Sequence, residues 1–505
     1  MVGPRRPANR SLSASDEGSF SSHSRPSVFP AYGKRGTRST VRIGADRRGP
    51  RHQPSRAPRV MARGLLEALD RTLATVANGK RSLIGRASWL IKADAAKRLI
   101  GLGQPKATPS GPCQANGLSV KTLRGIGLEP TTWKDQGMSD VCRWGFLSTA
   151  GIGRKNWKGI RRSGNGVVAA VASRDSQKAR TFIDECQGEV PLPVAPKALG
   201  GYEALLADPD IDAVYVPLPT GMRREWVIRA AEAGKHVLCE KPCAPSLADL
   251  TAMTDACRAN NVQFMDGVMF MHSKRLPALR AVLDDQDRMG QLRRIGIQFS
   301  FCGPDSFFEH DIRTHSELEP QGCLGDLGWY CIRQTLWAVK GELPSEVSAR
   351  ILTEAGQPGS PGKVPVEFSA EMRWSNGVSA SFYCSFITEN QQFVRFCGSK
   401  GYAQVDDFVL PFLGSELKYD VANHAFTVLG CDFNMEQHVE RRAVHEYANG
   451  WPTAQEANMA RSFGQLVLSG KPDGAWPKWS LVTQSVLDAC LESARSGRSV
   501  SPQAV

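Results

Sequence analysis

The sequence predicts an α/β fold in which a doubly wound parallel sheet precedes an α+β domain on an open, mostly antiparallel sheet. Between residues 142 and 240, short wholly apolar runs alternate with helical stretches, the pattern of strands covered on both faces by crossover helices. Beyond about residue 270, apolar and polar residues alternate with period two around hairpin-type turns, which marks a sheet with one packed and one wetter face. Ahead of both lies a basic segment rich in Arg, Ser, Pro and Gly. These shifts divide the chain into a leader at 1–137, a first domain at 138–271 and a second at 272–505.

The leader has too few large apolar side chains to offset the cost of ordering its backbone, so it is expected to be largely disordered. Residues 61–102 turn basic and amphipathic, with Leu65, Leu66, Leu69 and Leu73 at helical spacing. Three readings fit: a transient surface helix, an organelle-targeting segment, or a stretch absent from a mature protein that starts at Met138. Net charge is +13, but residues 1–137 hold 25 of the 63 Lys and Arg and 8 of the 50 Asp and Glu. The remainder carries 38 basic against 42 acidic residues, so the basic balance of the whole does not make the folded part a nucleic-acid-binding surface, and no nucleic acid is expected as a partner. Thirteen cysteines with no CxxC pair fit reduced thiols inside a cell, with the cytoplasm as the expected location, and no apolar run reaches the roughly 18 residues that span a bilayer. No membrane association is expected.

In order, strands are predicted at 143–148, 167–173, 213–217 and 235–239, with helices at 152–162, 176–186, 202–207 and 225–233 between them. Gly234 stops the last of these helices. Strands follow at 366–374, 378–387 and 392–396, turning at 375–377 and 398–401, and helices at 454–469 and 481–496 close the chain.

The first strand runs into Ser148-Thr149-Ala150-Gly151-Ile152-Gly153, where a GxGxxG dinucleotide fingerprint belongs. Only the last glycine matches. Ala150 adds one methyl where backbone approaches a pyrophosphate, and Ser148 can still make the turn. The second strand ends at Ser173-Arg174 where a site preferring NAD places an acid for the ribose 2′-hydroxyl. A hydroxyl and a guanidinium there, with Lys178 one turn on, suit a 2′-phosphate and so favour NADP(H), with NAD(H) as the alternative. The competing reading leaves Arg174 in solvent and turns Asp175 to the ribose. Pro217-Leu218-Pro219-Thr220 ends the next strand as a loop that two prolines stiffen, suited to a wall beside a nicotinamide. The apolar run Val237-Leu238-Cys239 stops at Glu240-Lys241-Pro242, at the carboxyl end of a strand, where open parallel sheets hold ligands. Farther on, Asp326 and Tyr330 lie four apart, on one face of a helix.

From Cys142 to about residue 500 the chain resembles the glucose-fructose oxidoreductase / inositol dehydrogenase / MocA (Gfo/Idh/MocA) family, and within it the dimeric dihydrodiol dehydrogenase and D-xylose dehydrogenase branch. The motifs that carry the likeness are 144–150, 171–175, 212–219, the Glu-Lys-Pro element at the end of 233–242, and the Asp-x-Gly-x-Tyr element within 322–333. The resemblance implies a Rossmann domain at 138–271 and a substrate and oligomerisation domain at 272–505, with a possible homodimer through the second sheet. It implies hydride transfer between NAD(P) and a secondary alcohol or carbonyl of a sugar, polyol or dihydrodiol. By position, Lys241 would bind the reacting oxygen, Tyr330 would be the general acid/base and Asp326 would assist. The cofactor would rest on residues 148–153, Ser173, Arg174, Lys178, 217–220 and 240–242. A cis Lys241–Pro242 bond is also implied. One departure is Arg223, where the family usually has histidine a few residues past the Pro-Leu-Pro element.

Removal of hydride from an alcohol carbon requires loss of the hydroxyl proton, so such a site needs a base and a group that favours alkoxide. A lysine ammonium beside Tyr330 would lower its pKa from near 10. Read without the family, Asp326 caps a helix, Tyr330 packs in a core and Lys241 ends a strand at the surface. His236 inside a strand is expected to be a satisfied core histidine, and His310 and His315 lack neighbouring ligands, so no metal is expected. The alternative function on the same fold is a cofactor-binding regulator or scaffold without turnover.

Overall fold

The computed structural model describes residues 141–505, so the expectations for the leader lie outside the described residues. The first sheet comprises β1 (Cys142–Leu147), β2 (Gly166–Ser173), β3 (Lys197–Gly200), β4 (Ala213–Val216), β5 (His236–Cys239) and β6 (Phe264–Asp266). Their order is β3-β2-β1-β4-β5-β6 and every pairing is parallel. The order reverses between β1 and β4, which opens a crevice at their carboxyl ends. The crossover helices are α1 (Gly153–Ser163), α2 (Ser176–Glu189), α3 (Tyr202–Leu206), α4 (Thr220–Glu232) and α5 (Leu247–Ala259). Helix α1 stops at Gly164, whose φ of 85° supplies the left-handed end.

The second sheet follows α6 (Arg275–Asp284). It comprises β7 (Leu292–Cys302), β8 (Glu346–Ala355), β9 (Val364–Arg373), β10 (Ser379–Ser385), β11 (Ile387–Gly398), β12 (Tyr402–Val405), β13 (Glu416–Leu429) and β14 (Asp432–His445), in the order β14-β13-β12-β11-β7-β10-β9-β8. Only the β7–β10 pair is parallel. The predicted turns hold: Gly377 has φ 85° between β9 and β10, and Gly398 N donates to Gly401 O at 2.8 Å between β11 and β12. Between β7 and β8 the chain forms α7 (Asp305–His310), a π-helical turn at Leu324–Gly328 and α8 (Trp329–Ala338). Of the closing helices, α9 (Gln455–Ser469) returns to pack on α1, with Phe463 4.9 Å from Trp144 between ring centroids. The last, α10 (Ala475–Ser496), packs on β8 and α8. No described helix is long and apolar enough to cross a membrane.

Candidate active site

The β1–α1 loop shows how a diluted glycine fingerprint still forms. Ser148 adopts φ 141°, a region that favours glycine, and its Oγ accepts the Ala150 N–H at 2.9 Å, closing the turn. A side chain at Gly151 would meet nothing, whereas at Gly153 a Cβ would lie 3.1 Å from the Phe182 ring. The retained glycine is therefore the one where α1 packs tightly, against Phe182 of α2 and Phe146 of β1. Helix α1 begins with no side-chain cap and no acid in its first turn, which leaves its positive end for an anion.

The carboxyl end of β5 delivers Glu240 and Lys241, and the Lys241–Pro242 bond is cis, as the resemblance implies. Lys241 Nζ donates to Asp326 Oδ1 at 2.6 Å and to Asp326 O at 2.8 Å, and stands 4.7 Å from the Tyr330 ring centroid. The π turn carries Asp326 and α8 carries Tyr330, so both reach the end of β5. Burial by itself would raise the Asp326 carboxyl, but Arg313, whose Nε lies 3.0 Å from Oδ2, and Lys241 outweigh it and hold it well below the usual carboxylate range. The Tyr330 hydroxyl has Met269 Sδ as its partner, at 3.7 Å. Burial, followed by the charges of Glu240, Asp326 and Glu456, pushes this phenol well above its ordinary value. The lowered pKa expected from the ammonium is thus not found: Lys241 sits over the ring face, its charge is taken up by Asp326, and desolvation decides.

A cavity of about 1440 Å³ joins these groups. Of the residues proposed from sequence, it is lined by Ala150, Gly151, Ile152, Pro217, Leu218, Glu240, Lys241, Pro242, Asp326 and Tyr330. Ser148, Thr149, Gly153, Pro219 and Thr220 belong to the same loops but do not line it. Thr220 is instead bonded to Glu319 of the second domain. Ser173 is buried at the end of β2, and Arg174 and Lys178 are exposed beside it, outside the cavity. Asp175 does not turn inward: its side chain caps α2 by accepting the Gln177 N–H at 2.8 Å. Glu240 accepts the Tyr215 hydroxyl at 2.6 Å, and Gly267 lies against its carboxyl. His236 Nδ1 accepts the Gln263 N–H at 2.9 Å, so this histidine is satisfied as expected, at a half-buried strand start and not in the core.

The open loop, the uncapped α1 and the reversal of strand order fit a dinucleotide. The volume exceeds the roughly 300–1,000 Å³ of a single small-ligand pocket, which leaves room for a substrate as well. Sequence reasoning missed Arg313, Glu319 and the wall of Phe299, Phe301 and Phe307. Each reaches the site through tertiary packing and carries no local signature.

Residues 142–268 match the family model for the NAD-binding Rossmann fold of the Gfo/Idh/MocA oxidoreductases, and residues 278–404 match the model for that family's C-terminal domain. A D-xylose 1-dehydrogenase (NADP(+)) of Haloferax volcanii is 30% identical over 360 residues, covering 71% of this chain and 98% of that protein. A trans-1,2-dihydrobenzene-1,2-diol dehydrogenase of Bos taurus is 31% identical over 268 residues, covering 52% of this chain and 74% of that one. Among solved structures, a 3-ketoreductase from Actinomadura kijaniata in complex with NADP and TDP-benzene superposes with a TM-score of 0.58 at 26% identity, covering 70% of this chain and 98% of its own. With both domain models matched in order and a relative aligned across nearly its whole length, the chain belongs to the Gfo/Idh/MocA oxidoreductase family.

Proposed function

We propose that this enzyme moves hydride between NADP(H) and a secondary alcohol or its ketone on a sugar, polyol or dihydrodiol. The observation that carries the reading is the meeting of Lys241, Asp326 and Tyr330 in a cavity that the β1–α1 loop also lines. The nicotinamide supplies the hydride donor or acceptor. Asp326 takes two of the hydrogen bonds Lys241 can give, which fixes the ammonium and leaves one N–H for the reacting oxygen. As the carbonyl carbon is reduced its oxygen gains charge, which Lys241 stabilises, and the neutral Tyr330 phenol is the proton source. Alcohol oxidation is the reverse and needs Tyr330 in its phenolate form, which burial makes a minor fraction, to take the hydroxyl proton as hydride leaves to the nicotinamide. Relatives named for D-xylose and for a benzene dihydrodiol bracket the substrate between sugars and cyclic diols. Those relatives are named as enzymes, which leaves the regulatory alternative without support.

Ser173 and Arg174 support NADP(H), since Asp175 is spent on capping α2. A panel of aldoses, inositols and dihydrodiols with NADP+ or NAD+, followed by absorbance of the reduced cofactor, tests the reading. Turnover with NADP+ preferred is expected, and Arg174→Ala should raise KM for NADP+ about tenfold or more while sparing NAD+. Binding of NADP+ with no turnover on any member would contradict it. We also read the second sheet as the surface of a homodimer. Its β13–β14 hairpin presents Phe426, Val428, Phe433 and Met435 on one face, all half exposed or more. The twelve described cysteines are free thiols, which supports placement inside the cell.

A further inference from the structure

Arg223 stands where the family usually has histidine, and the chemistry above makes no use of it. It lies in the first turn of α4 and is 4% exposed. Its guanidinium donates to three backbone carbonyls: Nε to Leu218 O at 2.7 Å, and Nη1 to Glu240 O at 2.9 Å and to Pro242 O. Glu240 and Pro242 flank Lys241. One side chain therefore holds the lysine's backbone from both sides and ties it to the Pro-Leu-Pro loop.

The second domain completes the tie. The residue before α4 is Pro219, which has no side chain to cap it. Glu319 does so from across the domain boundary, accepting Thr220 N at 3.0 Å and Thr220 Oγ1 at 2.6 Å, with its carboxylate 4.0 Å from Arg223 Nη2. Gly221 N donates to Leu318 O at 3.1 Å, and any side chain at Gly221 would strike the Glu317 carbonyl. Gln321 Nε2 donates to Pro245 O at 3.0 Å. The stretch so fastened runs directly into the π turn that bears Asp326. Lysine and carboxylate thus come from different domains, and this link lies beside both.

We propose that Arg223 is a positioning residue which, with Glu319, locks the domains so that the Lys241 ammonium meets Asp326 and the reacting oxygen. A guanidinium suits the task because its planar fork reaches diverging carbonyls that a lysine, as a point charge, does not. The proposal rests on the role given above to Lys241. Its test is a double-mutant cycle in the full chain, with NADP+ and a substrate the wild type turns over. Arg223→Ala should cut kcat about a hundredfold, as misplacement of a reacting group by about 1 Å does, with the NADP+ Kd changed less than about threefold. Guanidinium ion at millimolar levels should restore part of that loss, and no part of the loss in Lys241→Met. The double variant should turn over no more slowly than Lys241→Met. Arg223→Lys, read beside its circular dichroism, should show the same kcat loss on a folded protein. Multiplying effects in the double variant, or wild-type kcat in both Arg223 variants, would overturn the proposal alone. Wild-type kcat in Lys241→Met would overturn the reading of Lys241 and this one with it.

Discussion

Lys241 and Asp326 are 85 residues apart in the chain and 2.6 Å apart in the fold, and the electrostatics of the site follow from that contact. With the ammonium committed to a carboxylate, the Tyr330 phenol gains no net help in ionising and burial keeps it protonated. On the proposed mechanism it serves as the proton donor in ketone reduction. Tyr330→Phe should therefore lower kcat by about 10²–10⁴ and leave NADP+ binding unchanged. The sign of the shift also fixes a pH profile. A phenol raised above its ordinary value of about 10 stays neutral below it, so ketone reduction by the wild type should show no falling limb from this group between pH 7 and 10. A limb below about pH 8 that vanishes in Tyr330→Phe would show a lowered phenol instead.

Among the elements, the β1–α1 loop shows what a departure from a motif costs. Ser148 carries a positive φ that costs on the order of 1–3 kcal/mol, offset in part by its bond to Ala150 N, worth about 1 kcal/mol. Ser148→Gly relieves the strain and loses the bond, while Ser148→Ala loses the bond and keeps the strain. The glycine variant should be the more stable by about 1–2 kcal/mol in denaturant unfolding, and equal stability would mean that the turn is unstrained. This is also where sequence reading reaches its limit. The strands β1, β2, β4 and β5 were legible because each is a largely apolar run, and β9 and β10 because they alternate. Strand β6 is three residues long, too short to show a period, while β7 was missed although Ile295, Ile297, Phe299 and Phe301 alternate with smaller or polar residues. Asp326 and Tyr330 were legible as a pair, but the π turn beneath them was not, and the partners Arg313 and Glu319 come from loops without period or motif.

At the scale of the whole molecule, the cavity is lined by both domains, the second supplying Phe299 and Phe301 from β7 and Phe307 from α7, and each domain contributes half of the Lys241–Asp326 pair. The β13–β14 hairpin extends beyond that arrangement with an apolar face, and a two-stranded hairpin is marginal in water by itself. Sedimentation should find a dimer that Phe433→Asp dissociates, whereas a wild-type monomer at micromolar concentration would remove the assembly. The central claim proposed here is that Lys241 acts chiefly on the reacting oxygen, beyond any part it has in the 240–242 segment expected to carry the cofactor. Its most direct test is Lys241→Met, with kcat and the NADP+ dissociation constant measured on the same preparation. The account predicts kcat lower by about 10² or more with NADP+ affinity within about twofold of wild type. Unchanged kcat, or a loss explained wholly by weaker NADP+ binding, would contradict it.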